Sequence, residues 1–157
     1  MPAAPRVFRK TVPDTGLIEK PELAPHFRFH AVDDRQVFLV SESANTLLHG
    51  QIYPHLLPLL DGARSHEEIL KILEGKHSES SVKSALLSLS SKGYAVSGDY
   101  AMPRRSAAFW TSLGISPRFA EEKLSTSRVS LTGDAMILAQ RLEEMGVSIA
   151  SEKNIAD

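Results

Sequence analysis

The side chains best suited to chemistry in this sequence are its histidines, because an imidazole can bind a metal ion or transfer a proton near neutral pH. There are six, at positions 26, 30, 49, 55, 66 and 77. His26 and His30 would share one strand face, but no carboxylate stands at a matching spacing and no His-Glu-x-x-His pair occurs. We interpret them as solvated strand residues and predict no metal site.

A nucleotide site is the second chemical possibility. The stretch LTGDAM joins a predicted strand to a predicted helix, where dinucleotide-binding folds carry G-x-G-x-x-G. Only Gly133 is present, and Asp134 would place a carboxylate where a pyrophosphate would have to lie. The sequence also has no Gly-x-Ser-x-Gly elbow, phosphate-binding loop or paired-carboxylate motif. We predict no cofactor, no catalytic residue and no intrinsic enzymatic activity.

Composition narrows the class of protein further. The chain has 157 residues, 42% of them apolar, which is enough for a globular core. Its 18 basic and 19 acidic residues nearly cancel, so no overall field would draw it to nucleic acid or to a membrane surface. It has no cysteine and no signal peptide, and its most apolar run, IYPHLLPLL, is too short to span a bilayer. We expect a cytoplasmic protein.

The N-terminal part of the chain predicts an extended arm and then strands. Five of the nine prolines fall in the first 25 residues, a region that we expect to contribute nothing to the core, with the arm assigned to residues 1–20. HFRFHAV then alternates, with Phe27, Phe29 and Ala31 on one face of a half-buried strand, and VFLV completes a hairpin. ANTLLHG is either a third, edge-like strand or the lead-in to a helix, and we favour the strand.

Helical periodicity follows. We predict helices from residue 51 to about 60, with a kink at Pro58, from the capping box of Ser65 and Glu68 to Gly75, and from Ser78 to Gly93, followed by a strand at 94–96. A linker at 98–106 leads to helices near 107–113 and 116–125 and then to a strand, helix and strand ending at 150. The fold class is therefore α+β: a winged helix-turn-helix domain over 21–97, with a three-stranded sheet and three helices, followed by a small α/β segment (βαβ) within 107–157.

The outer face of the third helix decides how this fold could be used. Val82, Ala85, Leu86 and Leu89 form its core stripe, and the opposite side carries small serines and one leucine. A helix that reads DNA needs arginine or amide side chains for the bases and several cations for the phosphates. We therefore predict that this face is either solvated or one wall of a groove for an extended peptide, whose other wall is an edge strand.

The segments VFLVSESANTLLHGQIYPHLLPLLDGARSHEEILKILEG and VKSALLSLSSKGYAV resemble a known family. They are similar to the N-terminal domain of the leader-peptide-binding proteins of azole-forming (thiazole/oxazole-modified) microcin biosynthesis, called RiPP recognition elements, RiPP meaning ribosomally made, post-translationally modified peptide. AAFWTSLGISPRFAEEKL resembles the link from that domain to a ThiF-like module. The resemblance covers roughly residues 21–150.

This resemblance implies a function. The leader of a precursor peptide would add to the sheet beside the third strand and lie against the third helix, and a partner YcaO-type cyclodehydratase would use ATP to close Cys, Ser or Thr side chains onto the backbone. Carried over by position, the peptide-binding residues are Ala44, Asn45, Thr46, Leu47 and Leu48 on the strand, and Lys83, Ser84, Leu87, Ser88 and Ser91 on the helix.

The sequence departs from longer family members, because its ThiF-like region contains a single βαβ unit and no YcaO domain follows. We expect an accessory recognition subunit or the N-terminal part of a cyclodehydratase, with neither nucleic acid nor membrane as a partner. An exposed strand edge also allows a homodimer. The rival hypothesis is a winged-helix DNA-binding transcriptional regulator, and a third makes the chain a structural appendage whose βαβ tail docks onto an enzyme.

Overall fold

The computed structural model describes residues 16–133 and 135–150. The chain divides into two compact units, the first ending at Pro117 and the second beginning at Arg118. Most of the predicted N-terminal arm, and Asp134 of the LTGDAM turn, lie outside the described residues. Within those residues no helix is long and apolar enough to cross a membrane.

The first unit begins with a strand that the sequence did not predict. β1 (Pro21–Leu23) pairs antiparallel with β5 (Ala95–Ser97), and Leu23 and Ala24 are buried in the core. The expectation that the first 25 residues contribute nothing to the core is therefore wrong. Pro21 is tolerated because it is the first residue of its strand, where its carbonyl accepts a hydrogen bond from the Gly62 N–H.

A three-stranded antiparallel sheet follows, in the order β2 (Arg28–Ala31), β3 (Gln36–Val40) and β4 (Asn45–His49). The predicted hairpin and the predicted strand within ANTLLHG are both confirmed. β3 alternates as a half-buried strand should, with Val37 and Leu39 fully buried. β2 does not, because all four of its residues are exposed. The prediction that Phe29 and Ala31 lie on a buried face is wrong, and Phe27, just before β2, is the aromatic residue that enters the core.

Three helices cover the other side of this core. α1 (Tyr53–Leu56) passes into a 3-10 turn at Leu57–Leu59, which is the effect expected of Pro58. α2 (His66–Leu73) begins at the predicted capping box, where Ser65 and Glu68 each accept a hydrogen bond from the other's backbone N–H. α3 (Glu79–Ser91) begins after its cap, Ser78. The predicted core stripe of α3, Val82, Ala85, Leu86 and Leu89, is buried in the same cluster as Leu48 of β4.

The helix after β5 starts earlier than the sequence indicated. α4 (Arg104–Ser112) includes three residues of the predicted 98–106 linker. It belongs to the first unit, because Arg104 forms an ion pair with the buried Glu22 and Ala107 is completely buried.

The second unit has the predicted βαβ order. α5 (Pro117–Thr126) leads into β6 (Arg128–Ser130), which pairs in parallel with β7 (Ser148–Ala150), and α6 (Met136–Glu144) connects the two strands. No side chain of α6 is fully buried, and Met136 and Ile137 are each 79% exposed. A two-stranded sheet covers only part of one helix face, which explains this exposure.

Candidate functional site

The outer edge of β4 is the main feature of the candidate site. Within residues 16–133 and 135–150, β4 pairs with β3 alone. The Gly50 N–H donates to the Arg35 carbonyl at 2.7 Å, and the Ser41 N–H donates to the Ala44 carbonyl at 2.9 Å. These two bonds fix the alternation of the antiparallel ladder between them, because paired residues exchange hydrogen bonds at every second position.

The alternation determines which edge of β4 the backbone N–H and C=O of each residue face. Leu48 pairs with Val37, and Thr46 pairs with Leu39. The backbone groups of Thr46 and Leu48 therefore face β3. Those of Asn45, Leu47 and His49 then face the open edge. Five of the ten residues expected to bind the peptide come from this segment, and two of them, Asn45 and Leu47, have outward backbone groups. His49 has them too and was missed by the sequence analysis, because strand parity is known only once the register is known.

Of the three other strand residues carried over from the family resemblance, Ala44 and Leu48 have different surroundings. The Ala44 carbonyl accepts hydrogen bonds from both the N–H and the hydroxyl of Ser41, in the turn before β4. The Leu48 side chain is 5% exposed and lies in the core. The buried Leu48 side chain is therefore out of a peptide's reach without rearrangement of the sheet, whereas the Ala44 side chain is exposed at the start of β4.

The five helix residues lie on the outward side of α3, as expected. Ser84, Leu87 and Ser91 are exposed, with Leu87 40% exposed, while Lys83 and Ser88 are half-buried at the margins. Lys83 forms an ion pair with Glu79, which lowers the pKa of that carboxyl. The Ser91 hydroxyl donates to the Ser88 carbonyl. This surface is nearly neutral, with one apolar side chain standing among serines.

Tyr94 joins the strand and the helix. Its hydroxyl lies 3.4 Å from the Thr46 hydroxyl of β4, and its N–H donates to the Leu89 carbonyl of α3 at 2.8 Å. Its ring packs edge-on against Phe27, with ring centroids 5.4 Å apart. The open edge and the end of α3 are therefore neighbours across a single tyrosine, which the sequence analysis did not select.

A buried carboxylate lies elsewhere in the first unit. Glu22, 3% exposed, accepts a hydrogen bond from the Tyr100 hydroxyl at 2.8 Å and pairs with Arg104 at 2.8 Å. Burial of Tyr100, together with its hydrogen bond to Glu22, raises the pKa of the tyrosine to about 12. Both oxygens of the Glu22 carboxylate have partners. The carboxylate therefore links β1 to α4 through Arg104 and is not placed to transfer protons.

Two of the histidines lie close together. The His55 Nδ1 and His77 Nε2 atoms lie 3.1 Å apart, on α1 and just after α2. In the part of the chain that the structure describes, no three His, Cys, Asp or Glu side chains group as a metal site would require. His26, which the sequence analysis interpreted as solvated, is half-buried and hydrogen-bonded through Nδ1 to the Thr111 hydroxyl at 2.9 Å.

Comparisons with known proteins agree with this fold. A model of the winged helix-turn-helix domain (WHD_DUF4423_like) matches residues 22–97. The solved structure of the heterocyclase TruD is 30% identical in sequence with a TM-score of 0.76, over 84% of this chain. A heterocyclase in complex with substrate and cofactor is 31% identical, also with a TM-score of 0.76, over 83%. No curated protein matches the sequence.

A more distant likeness extends to E. coli MccB. It is 14% identical with a TM-score of 0.54 over 82% of this chain, and at that identity the match shows the fold alone. The chain spans about a fifth of the heterocyclases, at 20% and 18% of their length, and 41% of MccB. The first unit is thus built on a winged helix-turn-helix domain, and most of the chain is similar in sequence and fold to part of a heterocyclase.

Proposed function

We propose that this chain is a non-catalytic module that captures the leader region of a ribosomal precursor peptide by strand addition and delivers it to a YcaO-type, azoline-forming cyclodehydratase. The observation that carries the proposal is the open edge of β4, where Asn45, Leu47 and His49 direct their backbone groups outward. Such an edge accepts an extended peptide as a further strand.

The peptide's affinity would come from main-chain hydrogen bonds, which require no particular leader sequence. Its alternate side chains would point to opposite faces of the extended sheet. Those on the helix side would meet Leu87 and the serines of α3, whose small side chains leave room for them. The Thr46 and Tyr94 hydroxyls lie 3.4 Å apart, so β4 and the end of α3 are already neighbours and would need little rearrangement to form the two walls of a groove.

The likeness to heterocyclases supports a place in the same type of peptide modification. Since the chain spans about a fifth of those enzymes, ring closure is assigned to a partner or to a further part of a longer protein. The second unit would provide the contact with that enzyme, because α6 leaves Met136, Ile137 and Leu138 more than half exposed.

Titration of the purified chain against the leader peptides encoded beside its gene tests the proposal. Fluorescently labelled leaders should bind saturably, and their polarisation should be competed by unlabelled leader but not by the core segment of the same precursor. Absence of saturable binding to every such leader would overturn the proposal.

A second candidate function follows from the winged helix-turn-helix match itself, since many such domains bind DNA. The outward face of α3 argues against it, because Lys83 is already paired with Glu79 and the remaining side chains are serines and Leu87. An electrophoretic shift that weakens steeply with salt would favour this function over peptide capture.

A further inference from the structure

Two hydroxyl groups lie together on β4, on the side of the sheet that faces the helices. Thr46 is two residues from the buried Leu48, so the two side chains point to the same side. The Thr46 hydroxyl lies 3.4 Å from that of Tyr94, well beyond the roughly 2.8 Å of a good O–H···O hydrogen bond. In the part of the chain that the structure describes, neither hydroxyl has another partner. This hydroxyl pair therefore retains hydrogen-bonding capacity that the fold does not use.

Other contacts hold both residues of the hydroxyl pair in place. The Tyr94 N–H donates to the Leu89 carbonyl at 2.8 Å, and the Tyr94 carbonyl accepts from the Ala24 N–H at 2.9 Å. The Tyr94 ring also packs edge-on against Phe27. Thr46 is fixed by its backbone pairing with β3, and both side chains are half-buried. Because neither residue has to be ordered on binding, a ligand that bonds to the pair loses little free energy to side-chain ordering.

A strand added to β4 would bring one of its side chains directly to the hydroxyl pair. The backbone groups of Thr46 face β3, so a strand on the other edge meets Thr46 at a position without backbone hydrogen bonds. In antiparallel pairing such positions bring the two Cα atoms to about 4.5 Å, and the facing side chains point to the same side of the sheet. The peptide side chain opposite Thr46 therefore lies beside its hydroxyl, on the side where Tyr94 also lies.

We infer that the hydroxyl pair of Thr46 and Tyr94 selects the bound peptide by taking a side chain with an acceptor oxygen, an amide or a carboxylate. The inference rests on the strand addition proposed above. An acceptor oxygen opposite Thr46 receives the hydrogen bonds that the pair does not use within the fold. An apolar side chain there would cover both hydroxyls and exclude water without replacing it, which is costly for polar groups. A site built to hydrogen-bond its ligand discriminates strongly against an analogue that lacks the bonding group.

A random peptide library displayed on phage tests the inference without knowledge of the natural leader. Selection against the full chain should enrich peptides that share an Asn, Gln, Asp or Glu at one position. Selection against a double variant, Thr46→Val with Tyr94→Phe, should enrich an apolar residue at that position instead. Both substitutions nearly keep the shape of the side chain and remove its hydroxyl, so the loss of the acceptor preference reports on the hydroxyls themselves.

Titration of synthetic peptides measures the coupling between the peptide and the hydroxyl pair. Changing the acceptor residue of an enriched peptide to Leu should weaken binding to wild type about fivefold to thirtyfold, and binding to the double variant by less than about twofold. The double variant should also bind the Leu peptide more tightly than wild type does, a result that a loss of folding cannot give. Tyr53→Phe is the matched control, since Tyr53 is a half-buried tyrosine on α1, outside the pair.

The outcomes separate the two proposals. If no peptide binds saturably, or if binding is indifferent to Leu47→Pro at the open edge, strand addition itself fails. If Leu47→Pro weakens binding but the change from acceptor to Leu costs the same factor in wild type and in the double variant, peptide capture stands and selection by the hydroxyl pair is wrong.

Discussion

The Thr46 hydroxyl on β4 lies 3.4 Å from the Tyr94 hydroxyl just beyond α3, so the Thr46 side chain points toward the helices. Its backbone groups face β3, opposite Leu39. Leu47, its neighbour, has the reverse arrangement, with its side chain on the side of the sheet turned away from the core and its backbone groups at the open edge. The backbone groups of Thr46 therefore stabilise the sheet, whereas those of the adjacent Leu47 are available to a peptide.

This separation predicts different effects for proline at the two positions. Leu47→Pro should leave the free energy of unfolding nearly unchanged but weaken leader binding by about tenfold or more, because it removes a donor at the edge. Thr46→Pro should instead cost roughly 1–3 kcal/mol of stability, because it breaks the ladder to Leu39. Urea unfolding and peptide titration of both variants, with Leu47→Ala as control, check this. Equal binding by Leu47→Pro and Leu47→Ala would contradict strand addition.

A close approach of two glycines gives a second prediction. A Cβ on Gly98 would lie 2.4 Å from the Gly62 Cα and 2.7 Å from the Gly62 carbonyl oxygen. Both are backbone atoms beside the buried Glu22, so they cannot move aside without disturbing β1. Gly98→Ala should therefore cost about 2–3 kcal/mol in chemical denaturation. Gly16→Ala, where nothing lies within 4 Å, is the control and should change stability little.

The same region predicts an alkaline dependence of stability. The pKa of Tyr100 is raised to about 12 in the folded protein, from an ordinary value of 10, so the folded state retains a proton that the unfolded state loses. The stability that Tyr100 contributes is fully present below pH 10 and is lost as the pH rises toward 12. The difference in unfolding free energy between wild type and Tyr100→Phe should shrink over that interval. A constant difference would show that burial and the Glu22 contact do not hold this proton.

His26 predicts a dependence of the opposite sign. The Thr111 hydroxyl donates to the Ala107 carbonyl, so His26 Nδ1 must be the donor to Thr111. Burial lowers the pKa of His26 from 6.5, so the neutral ring favours the folded state. This contribution is present above pH 6.5 and is lost as the pH falls through the lower, folded pKa.

His26→Asn keeps a donor nitrogen near the position of Nδ1 and removes the titration. The acid sensitivity of unfolding below pH 6.5 should be smaller in this variant than in wild type. His30→Gln is the control, because it removes an exposed histidine of β2 and leaves the contact between His26 and Thr111 in place. A profile altered equally by both variants would contradict the assignment.

Local pattern predicted much of this fold but little of its long-range pairing. Alternation and helical periodicity located β3, β4, α2 and α3, since each signal lies within a few residues. β1 pairs with β5 more than 70 residues away, and no local pattern reports that register. For the same reason, the segment from Ala44 to Leu48 could be selected from the sequence, but the backbone groups that face outward could not. His49 and Tyr94 were not selected.

The position of α4 predicts where the chain can be shortened. A chain ending at Pro117 keeps the Thr111 partner of His26 and the buried Ala107, and it should unfold with nearly the stability of the first unit in the full protein. A chain ending at Ser106 loses both, and the lost hydrogen bond to His26 together with the lost packing around Ala107 should cost about 1–3 kcal/mol. Under the proposed function the chain ending at Pro117 should bind leader peptide with unchanged affinity and fail to co-purify with the cyclodehydratase. If it retains the enzyme, the docking surface is not in the second unit.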